Sequence, residues 1–107
     1  MPDTTSALVD QLLTEVKSYL HITWEDENTN NNLKGMIRRG MTRLTVIAGV
    51  PSLDFSQEDM PKALLLDYCR YANSHAIEMF EKNFQSELIS LHFDSQINIL
   101  ESDSSDN

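Results

Sequence analysis

The chain has 107 residues, 40% of them hydrophobic and 23% charged, which fits one globular domain with a modest core. Eight Lys and Arg stand against 17 Asp and Glu, a formal net charge of −9; this disfavours strong adhesion to the DNA polyanion but allows a place beside DNA. Cys69 is the single cysteine, so an internal disulfide and a Cys-rich zinc cluster are excluded.

No apolar run approaches the roughly 18–20 residues of a membrane span. The first residues lack the basic-then-apolar pattern of a signal peptide, and a soluble, intracellular chain is the expectation. Thr4 or Thr5 can cap a first helix, with Asp3 suiting its positive end. Val9, Leu12, Leu13, Val16, Tyr19 and Leu20 then recur at helical spacing, which predicts a helix over about 5–20. His21 to Trp24 leaves it as a short extended piece. The polar stretch 25–32 reads as a turn ending in a cap, with Asn28, Thr29 or Asn30 as the capping residue. A second helix follows, with Leu33, Met36, Ile37, Gly40, Leu44, Ile47 and Ala48 along one broad face. Gly49 and Pro51 stop it, since glycine accepts the left-handed cap and proline cannot continue the helix.

Residues 50–60 read as a loop pinned by Leu53 and Phe55. Ser56 or Asp59 caps the next helix, and Pro61 fits a first turn where its missing N–H costs nothing. This third helix is predicted to be the longest, over about 60–82, burying Leu65, Tyr68, Cys69, Ala72, Ala76, Met79 and Phe80. Residues 85–91 continue helically, whereas Ile89, Leu91, Phe93, Ile97 and Ile99 alternate as a strand would. The acidic, polar residues 101–107 read as disordered. The expectation is all-α: a small helical bundle of three main helices, a short C-terminal helix and an extended C-terminal arm. Residues 1–92 form the helical domain, and residues 93–107 the arm and tail.

Tests for chemistry return no site. Asp26, Asn28 and Asn30 alternate like the first ligands of a calcium loop, but its glycine and bidentate glutamate positions hold Asn31 and Ile37. Gly35 and Gly40 precede Thr42 as in a phosphate loop, yet Met41 replaces the lysine and no strand leads in. Glycines so spaced within a helix point to close helix packing or a bend. His21, His75 and His92 have no metal-ligand spacing, and Cys69 reads as a core thiol. No catalytic residue, metal or cofactor is expected, and the chain does not read as an enzyme.

The remaining candidates concern contact with partners. Lys34, Arg38, Arg39 and Arg43 gather half of the basic residues on the second helix. They fit either a solvated face paired with nearby carboxylates or a contact to an acidic partner, including another copy of this chain. Trp24, Tyr71, Phe84 and Phe93 lie near element ends or off the core stripe. They are candidate anchors, because aromatic residues are enriched at interface hot spots.

Residues 16–24 (VKSYLHITW) followed by Glu25-Asp26-Glu27, then Ile47-Ala48-Gly49, Asp54-Phe55, residues 64–71 (LLLDYCRY) and residues 79–88 (MFEKNFQSEL) with Ser90-Leu91 form an ordered set. Over about residues 9–92 this set resembles the phage head–tail connector family, the head-completion adaptors of long-tailed phages and prophages. The resemblance implies a structural virion protein that forms a homo-oligomeric ring beneath the portal protein. The ring extends the DNA channel, through which DNA passes without sequence-specific binding, and offers a platform to a downstream head-completion or tail protein. It also implies a virion location, with assembly in the host cytoplasm, no membrane partner, and no catalytic residues to carry over. The alternative is a small acidic regulatory protein, of antitoxin or DNA-mimic type, that binds a basic partner. A DNA-binding module would need a basic recognition helix, and the second helix is its only candidate.

Overall fold

The computed structural model describes residues 4–105. Its chain order is α1 (Thr4–Tyr19), α2 (Glu27–Ala48), α3 (Met60–Asn73), α4 (Ile77–Asn83) and α5 (Gln85–Ser105), with no strand among the described residues. The all-α expectation holds, and α1 matches its predicted span closely; α2 stops at Gly49 as expected but starts at Glu27, inside the stretch 25–32 that reads from sequence as a turn.

Helix α2 is the centre of the bundle and packs against α1, α3 and α5. Its buried residues Leu33, Ile37, Gly40, Leu44 and Ala48 recur three or four apart, the spacing that places side chains on one helix face. They meet Val9, Leu12 and Val16 of α1 and Leu64, Leu65, Tyr68 and Cys69 of α3 in one apolar cluster, closed by Phe55, Phe80, Leu88 and Leu91. Gly40 allows α3 to approach: a Cβ there would stand 2.6 Å from Leu65 Cδ1 and 2.8 Å from Tyr68 Cδ1. The expected use of a helix glycine for close packing is met at this position.

Local chemistry fixes most boundaries. Asp26, rather than Asn28, Thr29 or Asn30, caps α2: its carboxylate accepts from Thr29 N at 2.9 Å and from Thr29 Oγ1 at 2.9 Å. The three expected residues instead lie inside the first turns of α2. Gly49 ends α2 in the left-handed region at φ 72°, donating to Thr45 O and Val46 O. Asp59 accepts from Met60 N and Pro61 occupies the first turn of α3, as expected. Phe55 is buried and Leu53 packs against the core, so the loop is pinned as predicted. Thr4 and Thr5 begin α1, and the capping of its N-terminus, with the expected roles of Thr4, Thr5 and Asp3, falls outside the described side chains.

The C-terminal half differs more. The predicted long helix over 60–82 is two helices, because the chain turns at Ser74 and His75. His75 adopts φ 57°, and Ala76 N reaches back to Tyr71 O at 2.9 Å to close the end of α3. Met79 consequently leaves the buried face and is exposed. The expected extended arm over 93–107 is also corrected, since α5 runs without a break through residues 92 and 93 to Ser105. Residues 101–105, read from sequence as disordered, are its last turn and more; Asp106 and Asn107 lie outside the described residues.

Two buried lysines reinforce the packing of α1. Lys62 of α3 places its Nζ 2.5 Å from Glu15 of α1 and 2.5 Å from Glu58, the residue before its cap. Lys17 donates to Glu25 Oε1 at 2.8 Å and to Asn30 Oδ1 at 3.0 Å, tying α1 to the loop and to α2. A buried ammonium is tolerated only when it is paired in this way. The second oxygen of Glu15, Oε2, is buried without a hydrogen-bond partner.

Candidate interaction surface

Helix α5 has two apolar faces, and only one of them is covered. Leu88, Leu91 and Ser95 are buried and Ile99 is half-buried, a helical series that meets the bundle. Two polar side chains fasten this face to the end of α2. His92 Nδ1 donates to Ile47 O at 3.0 Å, which places the proton on that nitrogen. Gln96 Nε2 donates to Ala48 O at 2.9 Å and to Gly49 O at 3.2 Å. These bonds satisfy carbonyls that α2 leaves open at its C-terminus.

The second face carries Ile89, Phe93, Ile97 and Leu100, exposed by 50%, 62%, 50% and 64%. Their spacing of four, four and three residues forms one stripe on a helix. Glu87, Asp94 and Glu101 are each seven residues apart, nearly two whole turns, and so form an acidic line beside the stripe. Helix α5 contains no Lys or Arg. The N-terminal half of the stripe borders a groove of about 580 Å³ whose other walls include Ile47, Lys82, Gln85 and His92. Alternating residues at the end of the chain were read as a strand because the two helical series interleave: 91 and 99 belong to the covered face, and 89, 93 and 97 to the open one.

The second region is the outer face of α2. Arg38, Arg39, Thr42, Arg43 and the exposed Val46 border a shallow depression of about 450 Å³. Five of the chain's eight basic residues are neutralised within the fold. Lys34 pairs with Asp10, Arg43 with Glu81, Arg70 with Asp67, and the two buried lysines with their glutamates. Arg38, Arg39 and Lys82 are exposed and have no carboxylate partner among the described residues.

The predicted candidate residues therefore separate into groups. Arg43 donates to Glu81 through both Nε and Nη2 at 2.8 Å, a fork that joins α2 to α4. Hydrogen bonding to Arg43 holds the Glu81 carboxyl below its ordinary range. Lys34 is likewise paired, whereas Arg38 and Arg39 lie open. Tyr71 and Phe84 pack with Phe80 where α3, α4 and α5 meet, with ring centroids 5.1–5.9 Å apart. Arg70 lies over the Tyr71 ring at 4.8 Å, and Asn83 Nδ2 donates to its hydroxyl at 3.0 Å. Trp24 is exposed in the α1–α2 loop, and Phe93 sits at the middle of the open stripe. Ile89, Ile97, Leu100 and Val46 were missed; a helical reading of residues 85–105 is the signal that would have found the first three.

Other chemistry has little to work with. Burial pushes the Cys69 thiol up to about 12, so it stays protonated and unreactive at neutral pH. Among the described residues no group of three or more His, Cys, Asp or Glu is placed to hold a metal ion, and no helix is long and apolar enough to cross a membrane. Comparison with protein-family models, curated proteins and solved structures finds no match for this chain.

Proposed function

We propose that this chain is a structural virion protein, a head-completion adaptor that forms a ring under the portal, extends the DNA channel and links head to tail. The observation that carries this reading is the open face of α5, a four-residue apolar stripe left uncovered on a small, net-acidic chain. Contiguous apolar surface of that kind marks a contact site between proteins. The resemblance to the connector family supplies the identity of the assembly. An acidic subunit suits a channel wall that repels the DNA backbone and favours passage over adhesion. In this reading the protein works in the virion after assembly in the host cytoplasm, with the portal on one side and a head-completion or tail protein on the other.

The test is size-exclusion chromatography with light scattering, on the chain alone and mixed with its cognate, assembled portal. Co-elution supports the adaptor reading. Absence of binding to an intact portal overturns it and turns attention to a basic protein as the target of an acidic regulator.

A further inference from the structure

The two open regions are unlike one another and complementary. On α5, an apolar stripe runs beside the acidic line of Glu87, Asp94 and Glu101, none of which is ion-paired among the described residues. On α2, Val46 and Thr42 lie with Arg38 and Arg39, which have no carboxylate partner among the described residues. Gly35, one turn before Arg38 and Arg39, keeps the surface low there: a Cβ at that position would come 3.2 Å from Arg39 Nη1. The regions also lie apart along the chain's architecture. Helix α5 meets the C-terminal end of α2 at Gln96 and carries Leu100 and Glu101 past it, while Arg38 and Arg39 stand more than two turns back along α2.

We infer that the open face of α5 in one copy docks on the outer face of α2 in the next copy, with Phe93, Ile97 and Leu100 over Val46 and Thr42, and Asp94 and Glu101 facing Arg38 and Arg39. The occupant is a second copy because this chain supplies both complements: the acidic apolar helix and the unpaired arginines. Such a contact joins two different surfaces, so it repeats from copy to copy and either closes into a ring or grows as a filament. Burial of the stripe supplies the attraction, and the charge pairs fix direction and register. This inference deepens the ring reading proposed above, and rests on it only for the closure into a ring.

Two charge-reversed variants test it. The first is Arg38→Glu with Arg39→Glu; the second is Asp94→Lys with Glu101→Lys. All four positions are exposed, and circular dichroism verifies that each variant is folded. Sedimentation velocity over a concentration series reads association of wild type, each variant and their equimolar mixture. Wild type self-associates, each variant alone is weakened by about tenfold or more, and the mixture recovers, because every contact in an alternating chain again joins opposite charges. Phe93→Ser weakens association without loss of helix content. The inference is overturned by a wild type that stays monomeric throughout, by either folded variant associating like wild type, or by a mixture that fails to recover.

Portal co-elution keeps the two proposals separable. If the pairing of faces is wrong and the adaptor reading right, both variants load onto the portal as wild type does. If the adaptor reading is wrong and the pairing right, the mixing pattern holds without any portal binding.

Discussion

Glu81 accepts two hydrogen bonds from Arg43, and they hold its proton affinity below that of the unfolded chain. The stability contributed by this pair is fully present above the ordinary carboxylate value of 4.5 and is lost as pH falls through the lower folded value. Both side chains are nearly half exposed, so solvent screening keeps the contribution to about 0.5 kcal/mol. Urea unfolding should find Arg43→Ala less stable by that amount at about pH 7, with the difference shrinking as pH falls below 4.5. Gly40 acts through shape instead. Alanine there gains about 1 kcal/mol of helix propensity, but its methyl overlaps Leu65 and Tyr68, both buried, which must shift to admit it. Overpacking of this kind costs about 1–3 kcal/mol, so Gly40→Ala should lower stability by about 1 kcal/mol net in the same assay.

At the scale of elements, α5 contains the sharpest contrast. Leu91 is buried against the bundle and Phe93, two residues on, is open. Leu91→Ala should cost about 2–4 kcal/mol of stability, as large-to-small core changes do. Phe93→Ser should change stability by less than about 0.5 kcal/mol while weakening self-association. Denaturant melts and sedimentation of the two variants side by side separate core from contact surface. The same helix shows what the sequence could convey. The span of α1 and the Gly49 stop of α2 were legible because each helix has a single apolar face; the start of α2 was not, because the turn-favouring Asn28 and Asn30 lie inside the helix behind the Asp26 cap. Helix α5 has two apolar faces whose residues interleave, and a period-two pattern results. The break between α3 and α4 was illegible for another reason. Histidine, not glycine or proline, takes the left-handed position at residue 75, and Ala72, Ala76 and Phe80 continue a helical pattern across the junction. Of the candidate contact residues, Arg38, Arg39 and Phe93 were legible as exposed. Pairing of Lys34 and Arg43 with carboxylates was one of the two readings open from sequence, but the partners Asp10 and Glu81, and the packing of Tyr71 and Phe84 on Phe80, are set by tertiary structure.

Taken whole, the molecule is a slab. Its principal extents are 51 × 38 × 19 Å, and its Cα radius of gyration is 14.8 Å, against about 13 Å for a compact globule of this length. A flat subunit places a large share of its residues at the surface, which is why two broad helical faces stay open in a chain with one core. Small-angle scattering of dilute Phe93→Ser should return this elongated monomer. Wild type at higher concentration should give a larger radius that rises with concentration, and the two curves should converge on dilution.

Cys69 sits in the seam between α2 and α3, fully shielded from solvent, with its thiol held protonated. Because it is the chain's single sulfhydryl, alkylating reagents have one place to react and reach it only when the bundle opens. Its labelling therefore times the breathing of the whole fold, at one mass increment per molecule. In an assembled ring the same clock would run slower by the factor that neighbouring subunits add to the lifetime of the closed state.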